Sequence, residues 1–455
     1  MKILICVEFY FPSVGGAQEV CRQLAKQFVS MGHIVHIATT KIDSRKDRCD
    51  EGILIHEFRI SGNNAYGLRG DVIGYRKFLI NSEYDIFLIY AAQQWTFDAM
   101  WPILDGITAK KVLVPCGYSG IFNPIFRDYF QELSGVLKKF DWIVYHANDY
   151  RDVNFSKEHD ISNGSLIPNG ALISEFNGIS RGTFRGKNSI EADEILLITI
   201  GSLNGSKGHL ELAKAYQLLD FEKKSMLILN GSPQEKPLSI KGDNDIGAVV
   251  LAKISLLITM AKNTPIRQLI SKFPGLMINI LGLEKLYLRM IGRNVDKNLE
   301  EELNKISNEV YVSSKGNKKI LITNLDRYDL ITALIDSDLF VFASHIEYSP
   351  LVLYEASAAK LPFLSVSVGN ASEIAEWTGG GIVMQVKKDS EGLTKVLPSD
   401  LAIKLAQVLK DKTELIQLGI NGNAAVNATF NWKNIAEMYL NIFKKISIPS
   451  AEERN

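Results

Sequence analysis

Apolar runs of strand length alternate with segments of helical periodicity at the start of the chain. The first apolar run covers 2–9, and a segment follows in which Val20, Leu24 and Phe28 recur at intervals of four residues. Such spacing predicts an amphipathic helix. A second apolar run, 33–39, comes next. This order predicts a strand–helix–strand unit, the building block of a parallel sheet.

The remainder of the first half continues in the same way. Short apolar runs, each bounded by polar or turn residues, predict further strands at 53–58, 85–90, 111–115 and 142–146. The order of elements then restarts, with a predicted strand at 195–200, a glycine-rich loop at 201–208, a helix at 209–219 and a strand at 226–229. The chain therefore reads as an α/β protein whose two halves have the same organisation.

A length of 455 residues also favours two domains over a single core. We place the first domain at 1–180 and the second at 190–430, and we predict that the polar, glycine-containing segment 173–193 links them. A last helix is predicted at 432–446.

One stretch, 232–318, interrupts the alternation of strands and helices. Its part 247–295 carries seven basic residues against one acidic residue, with long apolar runs between them. One interpretation is a helical insert that packs on the second domain. The other is a basic, apolar surface that rests on an anionic membrane.

Charge and cysteine content narrow the function classes. Acidic and basic residues number 51 each, so the net charge gives no reason to expect nucleic acid as a partner. The four cysteines are scattered without metal-ligand spacing, which favours a reducing compartment and predicts no metal site. No apolar run is long enough to span a bilayer, so we expect a cytoplasmic protein.

The run EYSPLVLYE, bracketed by Glu347 and Glu355, is the most informative short segment. It follows an apolar run at 338–343 and opens a predicted helix, with Ser349 as a plausible N-cap and Pro350 at the first helical position. The free amides of a helix start suit a phosphate, whereas carboxylates suit the hydroxyls of a sugar or ribose. Together they indicate a nucleotide sugar.

Several segments, spread over almost the whole chain, resemble the retaining glycosyltransferase family 4, which has the GT-B fold. They are the loop Gly15-Gly16-Ala17-Gln18, the segment Ile167-Pro168-Asn169-Gly170, the loop GSLNGSKG at 201–208, the pair Glu347 and Glu355, the stretch 355–376, and Phe430-Asn431-Trp432. The resemblance implies two Rossmann-like domains that face each other across a cleft. The second domain would hold the donor, and the last helix would return to the first, acceptor-side domain.

The family transfers a hexose from a nucleoside-diphosphate sugar, with retention of configuration and generally without a metal or other cofactor. By resemblance Lys207 would pair with the diphosphate, Glu355 with the ribose, and Glu347 with the sugar or its developing positive charge. Lys207 and Glu347 are thus the expected catalytic residues. The other expected donor contacts are Gly16, Gly201, Ser202, Ser349 and Leu351, and the acceptor-side candidates are Gly15, Cys116, Gly117 and Tyr118.

Three positions depart from the family pattern. Ser202 replaces the usual arginine, Cys116 a frequent histidine, and Lys360 a usual glycine. They leave two hypotheses open: an enzyme that builds a cell-surface or lipid-linked glycan, and a non-catalytic binding or scaffolding homologue. A nicotinamide dehydrogenase is disfavoured because residues 11–16 lack the Gly-x-Gly-x-x-Gly spacing. His146, at the end of a predicted strand, is expected to be structural.

Overall fold

The structure is a computed structural model that describes residues 1–231 and 283–448. Within these ranges the first half of the chain forms an eight-stranded sheet in the order β10-β9-β8-β7-β1-β2-β4-β3, with a small two-stranded sheet beside it. The strands are β1 Lys2–Cys6, β2 Ile34–Thr40, β3 Cys49–Asp50, β4 Ile53–Phe58, β5 Ile60–Ser61, β6 Arg69–Gly70, β7 Ile86–Tyr90, β8 Lys110–Val114, β9 Trp142–Tyr145 and β10 Gly164–Leu166. Apart from β3, which runs antiparallel to β4, the eight strands are parallel.

Helices cover both faces of this sheet. They are α1 Gly16–Ser30, α2 Val72–Ile80, α3 Trp95–Asp98, α4 Arg127–Leu137 and α5 Arg151–Glu158, with 3-10 turns at Trp101–Gly106 and Pro124–Phe126. Strands covered on both faces are apolar throughout, and Ile3, Leu4 and Ile5 of β1 are completely buried. The apolar run continues beyond β1 because Val7 and Tyr10 are also buried, although they lie outside the strand.

The second half forms a six-stranded parallel sheet in the order β13-β12-β11-β14-β15-β16. Its strands are β11 Ile195–Ile200, β12 Ser225–Asn230, β13 Lys318–Thr323, β14 Leu339–Phe342, β15 Phe363–Val366 and β16 Gly381–Met384. The helices are α6 Thr183–Lys187, α7 His209–Leu218, α8 Leu283–Ser313, α9 Arg327–Asp336, α10 Leu351–Ala358, α11 Ala371–Thr378, α12 Pro398–Val408, α13 Lys412–Ala428 and α14 Trp432–Ser447, with a 3-10 turn at Ile173–Phe176. The two predicted Rossmann-like domains are thus both observed in the described residues.

The strand order places a ligand crevice in the second sheet. From β11 the chain proceeds outward to β12 and β13, and then returns to β14 on the other side of β11. At such a switch point the loops at the carboxyl ends of the two central strands diverge and leave a crevice between them. Here those loops are 201–208 and 343–350.

Helix α14 leaves the second domain and packs on the first. Its residues Trp432, Ile435, Tyr439 and Phe443 are buried in one cluster with the apolar face of α1. The ring centroids of Phe28 and Phe443 lie 5.7 Å apart. No described helix is long and apolar enough to cross a membrane.

The segment between the two sheets is fastened to the second domain. Phe184 of α6 is buried, and Arg185 donates to the Asp336 carbonyl at 3.0 Å and to Asp338 at 2.9 Å. These contacts fix the start of the second domain against α9 and β14. The exact domain boundaries stay a prediction.

The predicted insert lies mainly outside the described residues. Its described part is α8, whose Leu299, Leu303, Ile306 and Val310 pack into the core of the second domain. The basic stretch 247–295 falls largely on residues that the structure does not describe, so its proposed membrane role stays a prediction.

Candidate active site

The two crevice loops touch each other. Gly208 ends the first loop with a φ of 71°, and a Cβ there would come within 1.9 Å of the Ala343 carbonyl oxygen. Both the positive φ and this close approach require glycine. The His345 amide also donates to the Ser206 carbonyl oxygen at 2.8 Å. We call residues 345–350 the acidic loop.

Lys207 and Glu347 meet between these loops. The Lys207 ammonium lies 2.6 Å from Glu347 Oε1, and both side chains are partly exposed, at 24% and 17%. Ser344 Oγ donates to the same carboxylate oxygen at 2.9 Å. The two residues that the sequence predicts to be catalytic are therefore in direct contact at the switch point.

Glu355 lies in the second turn of α10 and also has a cationic partner. Its Oε1 is 2.6 Å from Arg327, whose guanidinium is 2.5 Å from Glu175. Burial raises the pKa of Glu355, and the charge of Arg327 opposes that effect. The Glu355 carboxylate retains free lone pairs for hydroxyl groups.

Arg327 was missed by sequence reasoning. It is the first residue of α9, where Asp326 caps the helix by accepting from the Asp329 amide at 2.9 Å. One feature of the sequence could have identified Arg327, namely its position shortly after β13. The carboxyl ends of parallel strands share one edge of the sheet, so a residue there lies near the crevice loops. Arg327 supplies an arginine to this edge, although Ser202 occupies the position at which the family usually has one.

The start of α10 differs from the prediction. The helix begins at Leu351, Pro350 is the N-cap, and Ser349 makes no capping bond. Pro350 has a ψ of 114°, an extended value that belongs to an N-cap rather than to the first helical residue. The Ser349 carbonyl oxygen instead accepts from Asn169 Nδ2 at 3.2 Å. The amides of Leu351 and Val352, the first two of α10, have no backbone partner among the described residues and suit an anion, whereas Leu353 donates to the Pro350 carbonyl oxygen at 3.3 Å.

The first-domain glycines stand at the start of α1. Gly15 is its N-cap with extended backbone, and Gly16 is its first residue. A Cβ at Gly16 would meet no described atom within 4 Å, and one at Gly15 would meet only the Gln18 side chain. Backbone geometry within the described residues therefore does not demand glycine at Gly16. The empty space beside this residue is open to a ligand.

The loop after β8 is strained. Cys116, Gly117 and Tyr118 have φ values of 60°, 80° and 46°. Burial raises the pKa of the Cys116 thiol, which is therefore neutral. The Tyr118 hydroxyl is buried and has no hydrogen-bond partner among the described residues. Left-handed conformations in non-glycine residues cost about 1 kcal/mol or more each and concentrate at binding sites.

His146 has structural partners. Its Nδ1 lies 2.7 Å from the Ile167 carbonyl oxygen, and its Nε2 lies 3.1 Å from the Tyr90 hydroxyl. Burial lowers its pKa to about 4, so the imidazole is neutral at physiological pH. These contacts support the structural role that the sequence indicated.

Lys360, the third departure from the family pattern, lies two residues after the end of α10, with an exposed side chain and a φ of 59°. That left-handed conformation explains why glycine suits the position.

A pair of acidic residues in the first domain was also missed. Glu8 follows β1, and Asp98 ends α3, where it accepts from the Tyr129 hydroxyl and the Asn64 amide at 2.9 and 2.8 Å. Burial, with a smaller contribution from Asp98, raises the pKa of Glu8 to about 7. Burial likewise raises the pKa of Asp98 to about 7. In the sequence Glu8 is only a single acidic residue after a strand, and nothing there indicates that it pairs with Asp98.

A cavity of about 290 Å³ opens between the domains on the side of β15 and β16. The first domain lines it with Phe122, Tyr150 and Arg151, and the second with Glu347 and Lys388. Among the described residues, no group of three or more histidine, cysteine or acidic side chains is arranged to hold a metal ion.

Comparisons with known proteins agree with this architecture. Residues 259–423 match the family model for glycosyl transferases group 1. No curated protein sequence matches the chain.

Solved structures match over nearly the full length. Sucrose-phosphate synthase from Thermosynechococcus elongatus is 14% identical, with a TM-score of 0.67 and 98% of each chain covered. HepE from Anabaena, solved in complex with UDP, is 13% identical, with a TM-score of 0.64 over 98% of this chain and 100% of that one. WaaG, a glycosyltransferase involved in lipopolysaccharide biosynthesis, is 16% identical, with a TM-score of 0.60 over 97% and 99% of the two chains.

At such identities the structural similarity establishes the fold, and the family match covers residues 259–423, a part of the second domain. The resemblance to glycosyltransferases is therefore confirmed: residues 259–423 match the group 1 glycosyl transferases, and the described chain has the GT-B fold.

Proposed function

We propose that the protein is a retaining hexosyltransferase that moves a sugar from a nucleoside-diphosphate donor to a glycan or lipid-linked acceptor. The observation that carries this proposal is the contact between Lys207 and Glu347 at the switch point, 2.6 Å across the two crevice loops. A cation for the diphosphate and a carboxylate for the sugar are there placed side by side.

The donor would exchange partners with this ion pair. The diphosphate draws the Lys207 ammonium toward itself and also meets the free amides at the start of α10, where a helix terminus favours negative charge. Glu347, released from the lysine, accepts hydrogen bonds from the sugar hydroxyls. Glu355 accepts from the ribose while Arg327 keeps its charge compensated.

For the chemical step we propose attack on the face from which the diphosphate departs. The departing phosphate oxygen accepts the proton of the acceptor hydroxyl, so no separate general base is needed. The protein contributes orientation, and Lys207 stabilises the charge that develops on the leaving group. We propose that the step is metal-independent, which predicts that a chelator leaves the rate unchanged.

For the donor we propose UDP-glucose or a related UDP-hexose as the first candidate, since HepE was also solved with UDP-glucose. For the acceptor, the 290 Å³ cavity beside Glu347 has room for a sugar residue and offers aromatic and charged side chains to it. The first-domain loops at Gly15 and at 116–118 are the other acceptor-side candidates.

We further propose a role in cell-surface polysaccharide synthesis, in the cytoplasm and at the periphery of the membrane through 247–295. WaaG, which shares the fold, is involved in lipopolysaccharide biosynthesis. Deletion or charge reversal of 247–295 is expected to release the protein from anionic liposomes without abolishing donor binding. Failure of the intact protein to bind such liposomes would contradict the membrane role.

The experiment that tests the donor site is a thermal-shift screen of nucleoside diphosphates and nucleotide sugars. A ligand that binds only the folded state raises the melting temperature by mass action. We expect a rise with one nucleotide that is lost in Lys207→Ala and in Glu355→Ala. Lys223→Ala, which removes an exposed lysine paired only with Asp193, is the matched control and should keep the shift. Flat curves for every nucleotide would contradict the proposal.

A non-catalytic homologue is the second candidate function, and the departures at Ser202 and Cys116 favour it. The two candidates differ in turnover. Release of free nucleotide that accelerates when acceptor glycans are added supports the enzyme. A bound nucleotide sugar that is never consumed supports the binding protein.

A further inference from the structure

We infer that Tyr348 is a positioning residue: it fastens the acidic loop to the first domain and so holds Glu347 in place only when the cleft is closed. The part of this inference that concerns turnover rests on the proposed function. Neither the acidic pair nor the crevice geometry requires a tyrosine at this position.

The Tyr348 side chain crosses from the second domain into the first. Its hydroxyl accepts from the His146 amide at 2.8 Å and hydrogen-bonds the carboxylate of Asp152, a residue of α5. Beside it, the Tyr150 hydroxyl donates to the Glu347 carbonyl oxygen at 2.6 Å. Two consecutive residues of the acidic loop are therefore held by the other domain.

The first domain is shaped to receive this ring. A Cβ on Gly117 would come within 2.8 Å of Tyr348 Cδ2 and within 2.7 Å of the Tyr150 ring. The Tyr348 ring centroid lies 5.1 Å from that of Tyr150 and 5.6 Å from that of His146. Gly117 thus serves this contact, which differs from the acceptor role that the resemblance implied for it.

The backbone of Tyr348 is fixed from its own domain. The Asn370 amide donates to the Tyr348 carbonyl oxygen at 2.9 Å, and Asn370 Nδ2 reaches the His146 carbonyl oxygen at 2.7 Å. A second link, from the Glu373 carboxylate to the amides of Asn148 and Asp149, holds the same two segments together.

Opening of the cleft must therefore break the bond between the Tyr348 hydroxyl and the His146 amide, and it leaves the acidic loop held by its own domain alone. Glu347, the neighbouring residue, pairs with Lys207 at 2.6 Å from this same loop. Closure is coupled to the placement of the Glu347 carboxylate through the Tyr348 side chain, with the Tyr150 hydroxyl adding a contact to the Glu347 backbone. Donor binding to the second domain alone does not need this coupling, whereas sugar transfer does.

Asp152 supplies a pH readout. Burial raises its pKa to about 6. The titratable groups around it are the thiol of Cys116 and the hydroxyls of Tyr118, Tyr145, Tyr150 and Tyr348, which are all neutral at that pH. Below about pH 6 Asp152 gains a proton and loses its charge as an acceptor for Tyr348.

The test compares Tyr348→Phe with the wild type in steady-state kinetics. We expect kcat to fall about tenfold, with the donor KM changed less than about twofold and the nucleotide thermal shift retained. The wild-type kcat should decline below about pH 6, and this acidic limb should be absent from the variant. Tyr439→Phe is the matched control and should behave as wild type. It also removes a buried tyrosine hydroxyl, but this hydroxyl, unlike that of Tyr348, has no hydrogen-bond partner among the described residues.

A second variant guards against a folding defect. Asp152 also accepts from the Gly117 amide at 3.0 Å, so Asp152→Asn should lower kcat at least as much as Tyr348→Phe. The double variant should lose little more than Asp152→Asn alone, since both changes remove the Tyr348 contact. An unchanged kcat in Tyr348→Phe, or fully additive losses, would overturn the inference.

A measurement without substrate separates this inference from the proposed function. Small-angle X-ray scattering of the nucleotide-free protein should give a larger radius of gyration for Tyr348→Phe than for the wild type and Tyr439→Phe. Equal radii would refute the coupling. If the wild type shows no turnover, the proposed function fails, and the scattering comparison alone decides whether Tyr348 holds the domains together.

Discussion

Replacing Arg327 by glutamine tests the electrostatics of the proposed donor crevice most directly. The change keeps much of the side-chain length but removes the charge that faces two carboxylates, Glu355 at 2.6 Å and Glu175 at 2.5 Å. Glu355 is the more deeply buried of the two, with 14% of its side chain exposed against 27% for Glu175. The loss of the guanidinium therefore leaves one buried carboxylate without a cation.

The expected loss of stability lies between two limits. Removing one partner of a fully buried ion pair costs about 3–5 kcal/mol, whereas an exposed pair contributes about 0–1 kcal/mol. Arg327 is 43% exposed, so solvent screens part of the interaction. We expect Arg327→Gln to lower the free energy of unfolding by about 2 kcal/mol near neutral pH.

The pH dependence of that loss identifies its cause. Burial already raises the pKa of Glu355, and Arg327 opposes the rise. In Arg327→Gln the folded-state pKa is raised further above the unfolded value, so the folded protein holds the proton to higher pH. The destabilisation that this raised pKa causes in Arg327→Gln is absent below the unfolded pKa of Glu355. It grows as the pH rises through the folded pKa of Glu355.

Urea denaturation at about pH 5 and about pH 8 measures the effect, since the midpoint and slope give the free energy of unfolding at each pH. Lys187→Gln is the matched control, because Lys187 forms an exposed ion pair with Asp329, which lies in α9 as Arg327 does. We expect the Arg327→Gln deficit to be larger at the higher pH and the control to stay close to wild type. Equal deficits at both pH values would refute the argument, because they would mean that lost packing and not an uncompensated carboxylate is responsible.

Three further predictions follow from single residues. Glu347→Gln should lower the transfer rate by about a hundredfold with nucleotide binding retained, as single-turnover kinetics and calorimetry would show. Lys360→Gly should raise the free energy of unfolding by up to about 1 kcal/mol, because it relieves a φ of 59°; no rise in melting temperature would contradict this. Glu8→Gln should be more stable than wild type by about 3 kcal/mol at about pH 8 but nearly equal to it at about pH 4, since the folded pKa of Glu8 is about 7 against 4.5 unfolded; a pH-independent difference would contradict the raised pKa of Glu8.

The periodicity of the sequence predicted several of the regular elements well. The helix expected at 209–219 is observed at His209–Leu218, and the last helix expected at 432–446 is observed at Trp432–Ser447. Strands covered on both faces leave an unbroken apolar run, and an amphipathic helix leaves a repeat of four. The two-residue strands β3, β5 and β6 leave no such pattern and were missed, and the short strands β10, β13, β15 and β16 were not predicted either.

The candidate site was predicted only in part, because its contacts join residues far apart in the sequence. The short spacing between Glu347 and Glu355 is a local signal, and Lys207 stands in a recognisable loop. Arg327 and Tyr348 carry no such signal, since their roles depend on partners in other elements. Ser349 was misassigned as the cap because Pro350 is compatible with both the N-cap and the first helical position until its ψ is known.

The site has a common electrostatic design that none of its residues reveals alone. Each of the two carboxylates that the family resemblance assigns to donor hydroxyls already has a cation, Lys207 for Glu347 and Arg327 for Glu355. A diphosphate that enters the crevice can draw one of these cations, Lys207, without leaving an isolated charge, because the sugar hydroxyls replace the lysine at Glu347. Arg327 has a second acidic partner in Glu175 and so stays in place. We therefore propose that Lys207 is the cation that changes partners during donor binding, whereas Arg327 stays beside Glu355 and Glu175.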